Sequence, residues 1–245
     1  MVINTAAYHR VGECEDYPEE AFQVNAIVVR NLALVCRNLD AVLVHMSTDY
    51  VFGGDPSRRA PYTEHDLPWP LNVYGACKLG GEYFVRNPCP MHFVVRSSGL
   101  YGVAGSTEKD GNFVELMLRL AKEGKAIRVV DDQQVTHTYT VDLSSKMVEL
   151  IQTEHYRLYQ ITNSGDCTWY EFAAKVFELA GLSPELSPTT TEAFGAKAKR
   201  PRYSVLQNKA LMIVQLRPMQ SLVDALAAYL TNLSTLDHPH TPLEG

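Results

Sequence analysis

The chain has 245 residues, 46% apolar and 20% charged, with a formal net charge of −6. That make-up suits a soluble globule of one large or two small cores and excludes a chain disordered over most of its length. Basic residues are scattered apart from Lys197-Ala198-Lys199-Arg200-Pro201-Arg202, so no nucleic-acid partner is expected, and that cluster is better placed to meet phosphates on a small ligand.

Val2-Ile3-Asn4-Thr5-Ala6-Ala7 opens the chain as a strand whose small residues leave room for a ligand against the backbone. A helix is expected over 18–38, with Glu19 and Glu20 in its first turn and Ala21, Val24, Val28, Leu32 and Val35 on its apolar face. The run Ala41-Val42-Leu43-Val44-His45-Met46 predicts a buried strand parallel to the first. It ends in Ser47-Thr48-Asp49-Tyr50, where open α/β sheets place their ligands.

A long irregular loop follows, through Gly53-Gly54-Asp55-Pro56-Ser57 and on to Pro70, a length that marks functional loops. A helix then runs from about Tyr74 to Arg86 and is stopped by Asn87-Pro88-Cys89-Pro90. His92-Phe93-Val94-Val95-Arg96 reads as a strand ending on the hydroxyls of Ser97 and Ser98. After the loop 102–111 come a helix over 112–123, a short strand over 127–130 and a helix starting at Thr140. A strand over 158–162, a helix over 169–180 closed by Gly181, and a last helix over about 221–230 complete the pattern.

Strand and helix alternate, which predicts an α/β fold with a doubly wound parallel sheet and a smaller C-terminal substrate lobe. Residues 1–150 are expected to form a truncated dinucleotide-binding, catalytic domain, and 151–235 mainly a substrate-binding lobe interleaved with it. The tail 236–245 is expected to fray, and its His238 and His240 read as a disordered end rather than as metal ligands. Cys14, Cys36, Cys77, Cys89 and Cys167 are odd in number, with no C-x-x-C pair, so neither a metal site nor a disulfide framework is expected. The absence of a basic-plus-apolar leader and of a long apolar span makes the expected location cytoplasmic, away from membranes.

Tyr74 and Lys78 are one helical turn apart and follow the strand end that carries Thr48. A free phenol with a pKa of about 10 is a sluggish proton carrier at neutral pH, and an ammonium on the same helix face favours its phenolate. Lowering it by 2–3 units asks for roughly 3–4 kcal/mol, within reach of a lysine in a partly desolvated cleft. A Tyr-x-x-x-Lys spacing is common by chance, and the solvated-helix reading of the pair gives way only because of the strand-end context. With Thr48 to orient a substrate oxygen, these residues predict alcohol/ketone redox chemistry. No G-x-G-x-x-G or G-x-x-G-x-x-G turn stands upstream to cradle a pyrophosphate.

Val2 to Tyr8, Cys14-Glu15-Asp16 with Pro18, Val24-Asn25, Ser47-Thr48-Asp49-Tyr50-Val51-Phe52 and Pro70-Leu71-Asn72-Val73-Tyr74-Gly75 with Lys78 together carry a resemblance. It continues through Arg96-Ser97-Ser98, Leu100-Tyr101-Gly102, Asn112-Phe113-Val114, Val130-Asp131-Asp132-Gln133, Thr168 to Phe172 and Arg200 to Ser204. The chain resembles the dTDP-4-dehydrorhamnose reductase family of the extended short-chain dehydrogenases over nearly its whole length. The resemblance implies reduction of the 4-keto group of a dTDP-sugar with NADPH or NADH. Tyr74 would be the proton donor, Lys78 would tune it and hold the nicotinamide ribose, and Thr48 would orient the carbonyl. Ala6 and Ala7 would border the cofactor through their backbones, and Asp49, Tyr50 and Arg200 would lie beside the substrate.

The chain departs from the family pattern at its opening, at Gly99 where many members have tryptophan, and at Val135 and His137 where a glycine and a proline are usual. Without the family's first strand, the strand at 2–4 is expected to leave an apolar edge bare, open to pairing with another chain in a possible homo-oligomer. A longer natural polypeptide, a misassigned gene start and a non-catalytic remnant are the three explanations this suggests. Two other functions stay open: an epimerase or dehydratase of the same superfamily, and a binding homologue such as a regulatory subunit of methionine adenosyltransferase. Tyr50, standing where dehydratases usually carry an acid, favours simple reduction.

Overall fold

The computed structural model describes residues 1–104 and 111–237. In chain order the elements are β1 (Val2–Asn4), α1 (Val11–Asp16), α2 (Pro18–Phe22), a π-helical turn (Gln23–Ile27), α3 (Val28–Asn38), β2 (Leu43–Thr48) and a 3-10 turn (Asp49–Val51). Then come α4 (Val73–Arg86), β3 (His92–Ser97), β4 (Leu100–Tyr101), α5 (Phe113–Lys122), β5 (Ile127–Val130), β6 (Gln134–Val135), β7 (Thr138–Tyr139) and α6 (Thr140–Ile151). The last third holds β8 (Arg157–Gln160), β9 (Cys167–Thr168), α7 (Trp169–Ala180), β10 (Leu186–Thr189), α8 (Thr191–Phe194), α9 (Lys209–Ile213) and α10 (Leu222–Asp237). His238 and His240 lie outside the described residues.

The main sheet is parallel throughout, in the order β1-β2-β3-β8. β2 and β3 are its inner strands and are buried almost continuously, as a parallel sheet covered on both faces requires. On one face, Val29, Ala33 and Cys36 of α3 and Val85 of α4 pack on Leu43, Val94 and Leu158. On the other, Leu143 and Leu150 of α6 and Ala210 and Leu211 of α9 pack on Val44, Phe93, Val95 and Tyr159. This is the expected α/β architecture, with its ligand-bearing edge at the C-terminal ends of β1, β2 and β3. Among the described residues β1 pairs on one side only, and Ile3, level with the buried Val44, is 51% exposed.

A second core gathers Tyr101, Val114, Met117, Ile127, Tyr139, Phe172, Val176, Leu226 and Tyr229. Its residues come from both sides of position 150, as do those of the main sheet, so the chain crosses between the two bodies more than once. β5 does not join the main sheet; it pairs in parallel with β10, a strand containing Pro188. α5 and α7 are each started by a reciprocal cap, Asn112 with Glu115 and Thr168 with Glu171, and Gly181 closes α7 in the left-handed region at φ 66°.

The helix expected over 18–38 is broken by the π-helical turn. The cause is Asn25, which is fully buried and bonds away from its own helix. Its Oδ1 accepts from the Tyr8 backbone N–H at 2.9 Å, and its Nδ2 donates to the Tyr8 carbonyl at 2.9 Å and to Cys77 Sγ at 3.2 Å. A π-turn supplies the extra residue that turns this side chain inward.

Candidate active site

Thr48 ends β2 and caps the 3-10 turn behind it, its Oγ1 accepting from Tyr50 N–H at 3.2 Å. The loop that follows returns to Asn72, whose Oδ1 caps α4 by accepting from Gly75 N–H at 2.8 Å. Asn72 Nδ2 donates to the Lys199 carbonyl at 2.8 Å, and Glu15 of α1 accepts from Val73 N–H at 2.8 Å. The start of α4 is therefore held from three directions, and Tyr74 in its first turn is aimed back at the end of β2. Gly75 makes the approach possible: a Cβ there would stand 2.1 Å from the Tyr50 carbonyl oxygen.

Tyr74 packs edge-on to Tyr50 with ring centroids 5.9 Å apart and shares a hydrogen bond with Thr48. Burial first, and the charge of Asp49 second, push its phenol well above the ordinary 10, while the Thr48 contact pulls the other way. Lys78 is 2% exposed, donates its Nζ proton to the Met46 carbonyl at 2.5 Å, and is pulled down to about 8 by burial. The expected acidification of the phenol by the ammonium one turn on thus differs from what the site shows. Desolvation of the phenol outweighs it, and the charge of Asp49 adds to the rise. A phenol that keeps its proton is a donor, which is the form ketone reduction needs.

Asp49 is 4% exposed and both its oxygens face hydroxyls of this chain. Oδ1 accepts from Thr48 Oγ1 at 3.2 Å and Oδ2 from Ser204 Oγ at 2.6 Å, with Ser98 bonded as well. Burial raises its carboxyl to about 6, against the pull of those donors. Tyr50 is half-buried and its hydroxyl accepts from Arg200 Nη1 at 3.3 Å, while Arg200 Nε is buried with a donor unspent. Ala6 is exposed and Ala7 half-exposed just past the end of β1, with Asn4 Oδ1 accepting from Ala6 N–H at 3.2 Å. Asn25 pins the next turn of backbone at Tyr8. With only methyl side chains, exposed or half-exposed at the end of β1, Ala6 and Ala7 leave room that fits a dinucleotide against the sheet edge.

The structure thus brings Thr48, Asp49, Tyr50, Tyr74, Lys78 and Arg200 together at one sheet edge, with Ala6 and Ala7 at the adjoining strand end. Residues with no role assigned from the sequence are Asn25, Glu15, Ser98 and Ser204. Each stands inside a motif that carried the resemblance, but its partner lies far off in the chain. Two departures from the family pattern prove to be neighbours: Gly99, at φ 53°, would put a Cβ 3.0 Å from His137 Nδ1. His137 stacks on Phe172 at 3.8 Å and meets Trp169 edge-on, and burial holds it neutral by lowering it to about 3. The ring fills the space beside the glycine.

Below the site, Arg96 and Glu82 form a buried two-pronged pair at 2.8 and 2.6 Å, which Ser47 joins by donating to Glu82 at 2.5 Å. It ties α4 to β2 and β3 and so fixes the height of Tyr74 and Lys78 over the strand ends.

A parallel sheet with a Thr–Tyr–Lys group at its ligand-bearing edge defines an oxidoreductase of the extended short-chain dehydrogenase class. Residues 1–235 match the model of the RmlD substrate binding domain family, and the chain belongs to that family. It is similar to the spore coat polysaccharide biosynthesis protein SpsK of Bacillus subtilis, at 38% identity over 96% of this chain and 80% of that protein. It is also similar to dTDP-4-dehydrorhamnose reductase of Streptomyces griseus, at 38% identity over 90% of this chain and 72% of that one. Among solved structures, dTDP-4-dehydrorhamnose reductase from Bacillus anthracis in complex with NADP superposes with a TM-score of 0.89 at 41% identity, covering 94% of this chain and 79% of that one. A UDP-glucose 4-epimerase from Thermotoga maritima, at 17% identity and a TM-score of 0.79, shares the fold.

Proposed function

We propose that this chain reduces the 4-keto group of dTDP-4-dehydro-L-rhamnose to dTDP-L-rhamnose, with NADPH, or NADH in its place, as reductant. The observation that carries the reading is the convergence of Thr48 and a proton-holding Tyr74 at the C-terminal edge of β2, beside Lys78. The relatives named as reductases of this substrate, and the NADP complex among them, support it.

When bound, the nicotinamide supplies hydride. Tyr74 gives its phenolic proton to the ketone oxygen as negative charge gathers there, and Thr48 orients that oxygen. Lys78, whose ammonium holds one proton on Met46, has donors left for a ribose hydroxyl. Ala6 and Ala7 line the cofactor through their backbones. Arg200, with Nε unspent, and Tyr50 face the nucleotide-sugar. Asp49 is assigned to the substrate side of the site through the hydroxyls it holds.

In the same reading, residues 151–235 contribute mainly to the substrate lobe. The cytoplasm is the place of action, consistent with five buried, unpaired cysteine thiols, and no helix among the described residues is long and apolar enough to cross a membrane. Incubating the chain with dTDP-4-dehydro-L-rhamnose and NADPH, and following loss of the reduced nicotinamide with formation of dTDP-L-rhamnose, tests the reading. Product formation in proportion to NADPH consumed is expected; intact substrate after prolonged incubation with either NADPH or NADH would overturn it.

A further inference from the structure

The hydroxyl of Thr48 has one proton and two lone pairs, and its surroundings make conflicting demands on them. One lone pair is taken by the Tyr50 N–H, and the proton lies on Asp49 Oδ1. What the hydroxyl then offers Tyr74 is its remaining lone pair. A ketone oxygen placed between Thr48 and Tyr74 has only lone pairs of its own, so it needs the proton that Asp49 holds. Thr48 cannot serve both while Asp49 is a carboxylate.

We propose, on the strength of the reductase reading above, that Asp49 is a positioning residue that acts through Thr48: protonated, it donates to Thr48 Oγ1 and turns the threonine's own proton toward the ketone oxygen beside Tyr74. The inventory then closes. Oγ1 accepts from Tyr50 N–H and from the Asp49 carboxyl, and donates to the substrate. No covalent step is involved; the only proton transferred in the reaction is that of Tyr74.

The geometry around Asp49 suits this role. It is 4% exposed at the joint between β2 and the C-terminal segment, and Ser204, 155 positions along the chain, donates to its second oxygen at 2.6 Å. That second oxygen fixes the carboxyl so that the first stays on Thr48. The groups facing it are Tyr74 from α4, its neighbour Tyr50, Ser98 at the end of β3, and Ser204 with Arg200 from the segment strapped across the site, the arginine reaching it by way of Tyr50. Lys78 is turned to the Met46 carbonyl. Among the described residues no cation bonds directly to the carboxyl, and burial raises it to about 6, so the protonated form is accessible near neutral pH.

The test is the pH dependence of kcat for the nucleotide-sugar ketone with NADPH. Wild type should lose roughly tenfold or more as pH rises through the Asp49 titration, approaching the roughly 10²–10³-fold cost of a lost oxyanion donor. Asp49→Asn, whose amide donates to Thr48 at every pH, should flatten that limb. Asp49→Ala should lower kcat most at the acid end. Ser204→Ala removes a donor that favours the carboxylate and should move the limb to higher pH.

A wild-type limb retained in Asp49→Asn would overturn the proposal while leaving the reductase reading intact. Should wild type fail to turn over at any pH, the reductase reading fails instead, and the Thr48 link is still tested without substrate. Carbon-13 NMR of the Asp49 carboxyl should then titrate near 6, and Thr48→Val should move that midpoint. A midpoint near the ordinary 3.8, or one that Thr48→Val does not move, would overturn it.

Discussion

Gly75→Ala adds one methyl group at the narrowest point of the site. The new Cβ would stand 2.1 Å from the Tyr50 carbonyl oxygen, 2.9 Å from its carbon and 3.0 Å from Pro70 Cβ. Real Cβ contacts essentially never fall below 3.0 Å, so the gap must open by about 0.9 Å, the difference between 3.0 and 2.1. Neither side is soft. The Tyr50 backbone is held by the Thr48 cap, and Gly75 N–H is held by Asn72 at 2.8 Å. Overpacking of this kind costs about 1–3 kcal/mol, partly offset by about 1 kcal/mol of helix propensity gained over glycine. The larger consequence is for chemistry, because Tyr74 moves with α4 and a displacement of about 1 Å can cost on the order of 10²-fold in rate. Thermal unfolding and kcat measured on the same preparation separate the two effects. Gly80→Ala is the control, since its Cβ would meet only Ala26 Cβ at 3.4 Å, an ordinary contact. It should leave kcat unchanged and stability equal or slightly raised. A folded Gly75→Ala variant with wild-type kcat would refute the proposed contact between α4 and the 3-10 turn.

Asn25→Ala removes two bonds to the Tyr8 backbone and one to Cys77, and should cost about 1–3 kcal/mol while speeding amide exchange at Tyr8; unchanged exchange would count against the pinning role. Glu82→Leu leaves the Arg96 guanidinium buried without its carboxylate and should cost about 3–5 kcal/mol by denaturant titration, whereas adding Arg96→Leu should recover much of the loss; equal stabilities for the single and double variants would contradict this. Lys78 sits at about 8 in the fold against an ordinary 10.5, so between those values the unfolded chain binds more protons and the stability contributed by this group rises with pH; below 8 the full cost of burying the ammonium remains. Lys78→Met removes that dependence, so its melting temperature should fall relative to wild type as pH goes from 8 to 10.5, and a constant difference would be the contrary result.

The inner strands were legible because β2 and β3 are built around the short apolar runs Leu43-Val44 and Phe93-Val94-Val95, and α4 because a proline-bearing stop follows it. Thr48, Tyr74 and Lys78 fell into place once those elements were set, as their positions follow from strand end and helix start. The π-turn was not legible: the residues around Asn25 keep a helical apolar period, and the break comes from bonds to Tyr8 and Cys77, 17 and 52 positions away. β10 was hidden by Pro188, which argues against a strand, yet in a two-stranded sheet every strand is an edge and the missing N–H costs nothing. α8 and α9, at four and five residues, are too short to show a period. The direction of the phenol's shift was misjudged from spacing, because it is set first by burial and then by the charge of Asp49, neither of which the Tyr74–Lys78 spacing reports. Ser204 on Asp49 is likewise a contact between distant segments that no local pattern announces.

The measurement that bears most directly on the account is steady-state reduction of dTDP-4-dehydro-L-rhamnose by NADPH, comparing wild type with Tyr74→Phe at matched folded concentration. If the phenol is the proton donor, kcat should fall by roughly 10²–10⁴-fold with KM little changed. Turnover by Tyr74→Phe at the wild-type rate would contradict the account.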